Sequence, residues 1–256
     1  MAGSSAFIFS GRLRRTSATP SVMLMDTRSD MVSSLARMPD SPVMNLNLSA
    51  DEVLATTRAV RKRLDLERPV EREVLLECVQ LAVQAPTGSN SQGWQWMFVE
   101  DPDKKKVIAD YYGSNFDKYV GMNPVEYAED DPRFAQRPRV TDSAVYLRQH
   151  FHEVPVLLIP LLEGRPTGSR GGTMAGFWGS ILPAVWSFML AARNRGLGTA
   201  WTTLHLSYEK EIDELLGIPP DRYSQAGLFP VAYTKGTDFK VADRLPVDEL
   251  VHFDSW

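Results

Sequence analysis

Between residues 178 and 195 the chain reads Trp-Gly-Ser-Ile-Leu-Pro-Ala-Val-Trp-Ser-Phe-Met-Leu-Ala-Ala-Arg-Asn-Arg, a run of helical length with almost no polar stripe. A helix apolar all round has to be covered on every side. Pro183 is tolerable in its early turns, and Gly196 and Gly198 stop it. Its apolar part, 181–192, is interrupted by Pro183 and Ser187 and falls short of the roughly 20 residues a membrane span needs, so no membrane partner is expected. The run Val-Pro-Val-Leu-Leu-Ile-Pro-Leu-Leu at 154–162 is apolar on both faces, as for an interior strand, with its prolines expected at ends or edges. With 256 residues and 43% hydrophobic content, the chain is long enough to bury both in one core.

The remaining elements are arranged around these two. Ser49 followed by Asp51 and Glu52 supplies a cap and an acidic first turn for a helix expected to reach about residue 61. Apolar positions at three- and four-residue intervals predict a second helix over 70–83, ended by Pro86. The aromatic run 94–99 reads as a strand and 104–112 as a helix. From 113 to 139 aromatics mix with Asp and Pro without a long period, which reads as a lid spanning roughly 111–150. Then follow a strand over 198–203, a helix over 207–216 ended by Gly217, a strand over 226–233 and a polar tail. Strands and helices interleave without a regular βαβ repeat, so the fold class expected is α+β. Residues 1–25 hold no acid and carry Arg12, Arg14 and Arg15 among Ser and Thr, a composition shared by organelle transit peptides and by disordered tails. Residues 1–43 are read as a flexible extension or an over-long start, ahead of an ordered domain over 44–256.

Several kinds of chemistry lack a carrier. A net charge of −4 argues against nucleic acid, although a local basic patch can still hold one phosphate. Cys78 is the only cysteine, which excludes an intrachain disulfide and the cysteine clusters of zinc or iron–sulfur sites, and no metal site is expected from the four histidines. A reducing, cytoplasmic setting is compatible with that. Neither a GxGxxG fingerprint, a Walker A loop nor a GxSxG elbow is present, so the chemistry has to come from something bound.

Three segments are candidates for holding it. Arg58-Ala59-Val60-Arg61-Lys62-Arg63 places four cations within six residues, suited to an anion or simply to the end of a helix dipole. Pro86-Thr87-Gly88-Ser89-Asn90-Ser91-Gln92-Gly93-Trp94 offers small and polar residues able to hydrogen-bond the edge of a heterocycle. Gly196-Leu197-Gly198-Thr199-Ala200-Trp201-Thr202-Thr203-Leu204 follows the apolar helix and has the backbone to lie against a planar ring.

In this order and spacing the segments resemble the FMN-dependent nitroreductase superfamily, from about Met44 to Trp256. They are similar to that family's opening Arg-rich motif, its Pro-Ser-x-x-Asn-Ser-Gln-x-Trp loop and its Gly-Leu-Gly segment, and Arg244-Leu245-Pro246 is similar to its C-terminal phosphate-binding Arg. One departure is Val60, where many members have Ser and a hydroxyl contact to the phosphate.

The resemblance implies a central mixed or antiparallel sheet flanked by helices in an intertwined homodimer, with FMN as tightly bound cofactor and NAD(P)H as co-substrate. Arg58, Lys62 and Arg244 would then grip the phosphate, with the backbone of Ala59, Val60 and Arg61 and with Lys240 beside them. Pro86, Thr87, Gly88, Ser89 and Asn90 would reach the partner subunit's flavin, and Trp201, Thr202, Thr203 and Leu204 would line its ring. The activity implied is ping-pong electron transfer from NAD(P)H to small electron-poor acceptors such as nitroaromatics or quinones, with no separate catalytic side chain. Enone reduction, dehalogenation and non-enzymatic FMN binding are the alternatives. Tyr111, Tyr112, Phe116, Tyr119, Tyr127 and Phe134 are candidates to stack on substrate or to fill the core.

Overall fold

The computed structural model describes residues 44–122, 127–166 and 171–256; the extension expected over 1–43 lies outside the described residues. Strands β1 (Trp94–Val99), β2 (Val156–Glu163), β3 (Leu197–Thr199), β4 (Tyr223–Gln225) and β5 (Phe229–Tyr233) form one sheet in the order β1-β2-β5-β3, with β4 also on β2 and every pairing antiparallel. Successive side chains of a strand leave on opposite faces. Val156, Leu158 and Leu162 of β2 enter one apolar cluster, whereas Leu157, Ile159 and Leu161 enter another, which is why this run shows no alternation.

Helices cover both faces, giving the expected α+β class. The first cluster is closed by α2 (Arg72–Ala82) through Val74, Leu75 and Cys78, and by α6 (Leu182–Asn194) through Val185, Phe188 and Met189. The second is closed by α3 (Pro102–Met122) through Ile108, Tyr112 and Phe116, by α4 (Pro132–His150) through Leu147, and by α7 (Glu209–Leu216) through Ile212. Cys78 is fully buried and its thiol is pushed up to about 12 by that burial, so it is inert as a nucleophile. Gly217 ends α7 in the left-handed conformation at φ 71°.

Several elements differ from the sequence expectation. Helix α1 (Ala50–Thr56) has the expected Ser49–Glu52 capping box but stops well before residue 61. The hydroxyls of Thr56 and Thr57 donate back to the carbonyls of Glu52 and Val53 at 2.6 and 2.7 Å, and the chain beyond gains sheet-like pairing when the Val60 N–H donates to the Thr199 carbonyl at 2.8 Å. The helix expected over 104–112 spans Pro102–Met122, and the stretch read as irregular is largely helical in α3 and α4. Their period is faint because most of their residues face solvent and because Pro138 inside α4 has no N–H for the Phe134 carbonyl.

The apolar run is two helices, α5 (Gly171–Gly179) and α6, broken at Ser180–Ile181. By length and composition Gly171–Asn194 would suffice to cross a membrane, a test that a core helix also passes. Most of α6 is covered by its own chain, Trp186 being the exposed ring, so its apolar character does not by itself demand a second subunit.

The strand expected over 198–203 is Leu197–Thr199, and a 3-10 turn, Leu204–Tyr208, precedes α7. The strand expected over 226–233 begins at Phe229, with β4 split off across Gly227. Pro160 lies mid-strand instead of at an end or edge. It sits where β2 changes partner from β5 to β4, and its carbonyl accepts from the Ala226 N–H at 2.8 Å.

Candidate functional site

After α1 the chain runs extended beside β3, with Ala59 bridged to Thr199 in parallel and Leu64 bridged to Thr234. Val60 and Leu64 are the buried residues of this stretch and fasten it to the second apolar cluster. Arg58, Arg61, Lys62 and Arg63 remain on its accessible side. Gly198 permits the approach: a Cβ there would lie 2.9 Å from Val60 Cβ and 2.7 Å from Thr234 Cγ2.

Beyond β5 the chain turns at Gly236 (φ 75°) and doubles back over the same strand. Arg63 donates to the Lys235 carbonyl at 2.9 Å and to Asp238 Oδ1 at 2.6 Å, and its guanidinium lies 4.2 Å from the Phe239 ring centre. The buried Arg193 of α6 approaches the same ring at 4.9 Å and donates to the Thr237 carbonyl at 3.0 Å. These contacts hold Lys240 and Arg244 opposite Arg58.

A cavity of about 390 Å³ lies between Arg58–Arg63 and Asp238–Lys240. It continues into a cleft of about 570 Å³ whose third wall is α4, through Gln136, Arg139, Val140 and Ser143. The cleft is lined by five cations, Arg58, Arg61, Arg139, Lys240 and Arg244, against one carboxylate, Asp243. Two other nearby acids are engaged. Asp142 is paired with Lys62, and Asp238 is held below the usual carboxylate range by its hydrogen bond from Arg63. Arg61 donates to the neutral Ser143 Oγ at 3.2 Å, and burial holds its guanidinium below its ordinary value, although it stays a cation at any working pH. Arg58 and Arg139 have no partner among the described residues. Such a concentration of unpaired cation, in a chain of net charge −4, suits a multiply charged anion such as a phosphate monoester.

A third cavity of about 470 Å³ opens between α3 and α4 and shares Arg61, Gln136 and Val140 with the cleft. Phe116, Tyr119 and Tyr127 line it. Of the other rings expected in the lid, Tyr112 is in the core, Tyr111 stacks on Tyr208 at 4.7 Å and Phe134 is exposed.

The residues expected from sequence are thus partly gathered. Arg58, Ala59, Val60, Arg61, Lys62 and Lys240 line one cavity, and Arg244 joins them in the cleft; Val60 contributes backbone, its side chain being 6% exposed in the core. Pro86, Thr87, Gly88, Ser89 and Asn90 line none of these cavities within the chain. They form a turn, with Ser89 and Asn90 both at φ 53°, docked on Ser180 through the Gly88 N–H at 3.0 Å. Trp201, Thr202, Thr203 and Leu204 also stay outside. Trp201 packs on Phe229, Thr202 is hydrogen-bonded to Leu228, and the Leu204 carbonyl accepts from Asn115 at 2.7 Å. Sequence reading missed Arg139, Gln136 and Ser143 of α4 and Phe239, and gave Arg63 no part beyond its charge. The signal present was the spacing Arg133, Arg137 and Gln136, Val140, Ser143, which repeats at helical intervals.

A Nitroreductase family model matches residues 54–233. Iodotyrosine deiodinase 1 of Rattus norvegicus is 23% identical, the match covering 85% of this chain and 74% of that protein. A 4-nitrobenzoate reductase of Nocardioides sp. (strain LMS-CY) is 27% identical over 79% of this chain and 89% of that protein. Among solved structures, the FMN- and NADPH-dependent nitroreductase NfnB from Sphigopyxis sp. strain HMH superposes with a TM-score of 0.60 at 20% identity, covering 82% of this chain and 100% of that one.

Proposed function

The chain belongs to the Nitroreductase family, and from that premise we propose that it is an FMN-dependent oxidoreductase passing electrons from NAD(P)H to small electron-poor acceptors such as nitroaromatics or quinones. The observation that carries this reading is the cleft in which Arg58, Arg61, Arg139, Lys240 and Arg244 face a single carboxylate. A dianionic phosphate monoester answers that excess of charge, and charge-assisted hydrogen bonds are the strongest available to it.

When bound, FMN supplies the two-electron chemistry linking donor and acceptor. The chain's residues bind and orient it. Arg58 and Arg244 would hold the phosphate together with Arg139 of the third wall. Lys62 adds fixed positive charge, part of it shared with Asp142. Pro86, Thr87, Gly88, Ser89 and Asn90 would act on the site of a second copy of this chain, and Trp201, Thr202, Thr203 and Leu204 would line the flavin. The apolar residues left open, Leu76 and Leu81 on α2 and the terminal Val247, Leu250, Phe253 and Trp256, support the homodimer that this requires.

The test is direct. Purified protein should be yellow, should release FMN and not FAD on denaturation, and should oxidise NADH or NADPH when given a nitroarene or a quinone. A colourless protein that takes up no added FMN refutes the reading; flavin binding without turnover reduces it to an FMN carrier. Reductive dehalogenation is the second reading, favoured by the likeness to iodotyrosine deiodinase 1. Iodide release from 3-iodotyrosine by the reduced protein separates the two.

A further inference from the structure

We propose that the cavity between α3 and α4 is an acceptor subsite selective for molecules with an aromatic body and one carboxylate, and that Arg137 is the residue that reads the carboxylate. The proposal rests on the oxidoreductase reading for the identity of the site, and on the cavity itself for the ligand class. At about 470 Å³ the space lies within the range of small-molecule pockets, and it meets the cationic cleft at Arg61, Gln136 and Val140, so that a molecule held there adjoins whatever the cleft holds.

The lining makes two demands at once. Phe116, Tyr119, Tyr127, Val120 and Val140 present rings and branched aliphatic groups, which favour a flat apolar body. Arg61, Arg133 and Arg137 present three guanidinium groups, and no Asp or Glu is among the described lining residues.

The three cations differ in what already satisfies them. Arg133 is paired with Asp131 at 2.6 Å and lies 4.5 Å from the Tyr127 ring centre, so its charge is offset. Arg61 is tied to Ser143 and belongs to the cleft. Arg137 is half-buried on α4, one turn beyond Arg133, and has no partner among the described residues. A partly desolvated guanidinium against apolar surface is unfavourable until a planar acceptor meets its fork, which a carboxylate does with two parallel hydrogen bonds. A neutral aromatic leaves Arg137 unanswered. A small polyanion leaves the rings unanswered. An aromatic carboxylate satisfies both.

The experiment compares 4-nitrophenylacetate with its neutral amide as acceptors for the FMN-loaded protein, and measures binding of the non-reducible phenylacetate and phenylacetamide by calorimetry on the protein as purified. The wild type should prefer the acid by at least about tenfold in kcat/KM. Arg137→Gln should raise KM for the acid and Kd for phenylacetate by about ten- to a hundredfold, leaving kcat and the amide within about twofold. Arg137→Lys should recover part of the preference. A wild type that treats acid and amide alike, or an Arg137→Gln variant that weakens both equally, overturns the proposal. If neither nitro compound is reduced while phenylacetate still binds through Arg137, the subsite stands and the oxidoreductase reading fails. If both are reduced without discrimination, that reading stands and the subsite fails.

Discussion

Gly198 is the point at which the cation-bearing strand comes closest to the sheet, and a single methyl group there tests whether the cleft is built on that approach. In Gly198→Ala the new Cβ would lie 2.7 Å from Thr234 Cγ2 and 2.9 Å from both Cβ and Cγ1 of Val60. Carbon atoms pack at about 3.5 to 4.0 Å, so β3 has to part from its neighbours by roughly an ångström. Both neighbours are anchored: Val60 by its N–H to Thr199 at 2.8 Å, and Thr234 by its N–H to the Gly196 carbonyl at 2.9 Å. Overpacking of this kind costs about 1 to 3 kcal/mol, whereas replacing glycine by alanine where the backbone tolerates it stabilises by about 0.4 to 1 kcal/mol through the unfolded chain. The clash prevails.

For a domain of this size each kcal/mol moves Tm by about 2 to 4 °C, so the melt of flavin-free protein should fall by several degrees. Because Arg58, Arg61 and Lys62 ride on the displaced strand, FMN affinity, read by fluorescence of the free flavin, should weaken as well. Adding Thr234→Ser removes Cγ2 but keeps the hydroxyl, and should return part of the Tm. A Gly198→Ala protein with unchanged or raised Tm and unchanged FMN affinity would refute the close approach and with it the support assigned to the cation strand.

Arg58→Ala should raise the FMN dissociation constant about ten- to a hundredfold, in line with about 1.5 to 3 kcal/mol for hydrogen bonds to a charged group, with activity restored by excess FMN; an unaltered affinity with a lowered Tm would assign Arg58 to the fold instead. His205 is fully buried beside Gln225, and that burial pushes its pKa down to about 3, so the unfolded chain takes up a proton below about pH 6.5 that the folded one refuses. Its contribution to stability is complete above pH 6.5 and is lost as the pH falls towards 3, by up to about 1.4 kcal/mol per pH unit. Urea midpoints from pH 7 to 5 should therefore fall more steeply for the wild type than for His205→Asn, the comparison cancelling the opposite contribution of Asp213, whose carboxyl burial raises; parallel slopes would reject the effect. Val247, Leu250, Phe253 and Trp256 are 72, 59, 84 and 101% exposed, so deletion of 247–256 should shift a dimer seen by sedimentation towards monomer, and an unmoved mass would remove the tail from the interface.

What could be read from sequence followed from how local the cause was. The strand over 94–99 and the stop at Gly217 are specified by adjacent residues, Trp-Gln-Trp-Met-Phe-Val in one case and a residue able to take φ 71° in the other, and both occur where expected. Helix α1 was expected to run on to residue 61 because its cations look like a helix end; what stops it is long-range pairing with Thr199, some 140 positions away, which no local pattern encodes. The same holds for the cleft. Arg58–Lys62 and Arg244 were legible as charge, but Arg139 sits on a helix with Pro138 inside it and with Leu147 as its deeply buried apolar residue, so its face carried no amphipathic signature. Pro86–Asn90 and Trp201–Leu204 were legible as polar and glycine-bearing loops, and they lie apart from the cleft within one chain because the turn is docked on Ser180 and Trp201 on Phe229.

The arrangement of the cleft also explains why its cations are unpaired without leaving the fold unsupported. Two of the three acids near them are spent on a neighbour that serves the scaffold, Asp238 on Arg63, which is bound to the Lys235 carbonyl, and Asp142 on Lys62, which joins the strand to α4, so that Asp243 alone faces the five cations. The rest of the support for the charged loops comes from groups that carry no negative charge, namely the Thr199 carbonyl, the Ser143 hydroxyl and the Phe239 ring between Arg63 and Arg193. A neutral or aromatic support positions a guanidinium without neutralising it. Replacing any of these by a carboxylate would strengthen the local contact and weaken the cleft as an anion site. The choice of support therefore separates two tasks, stability of the loop and charge of the site, and it leaves Arg58, Arg139 and Arg244 available to whatever anion the cleft is built to hold.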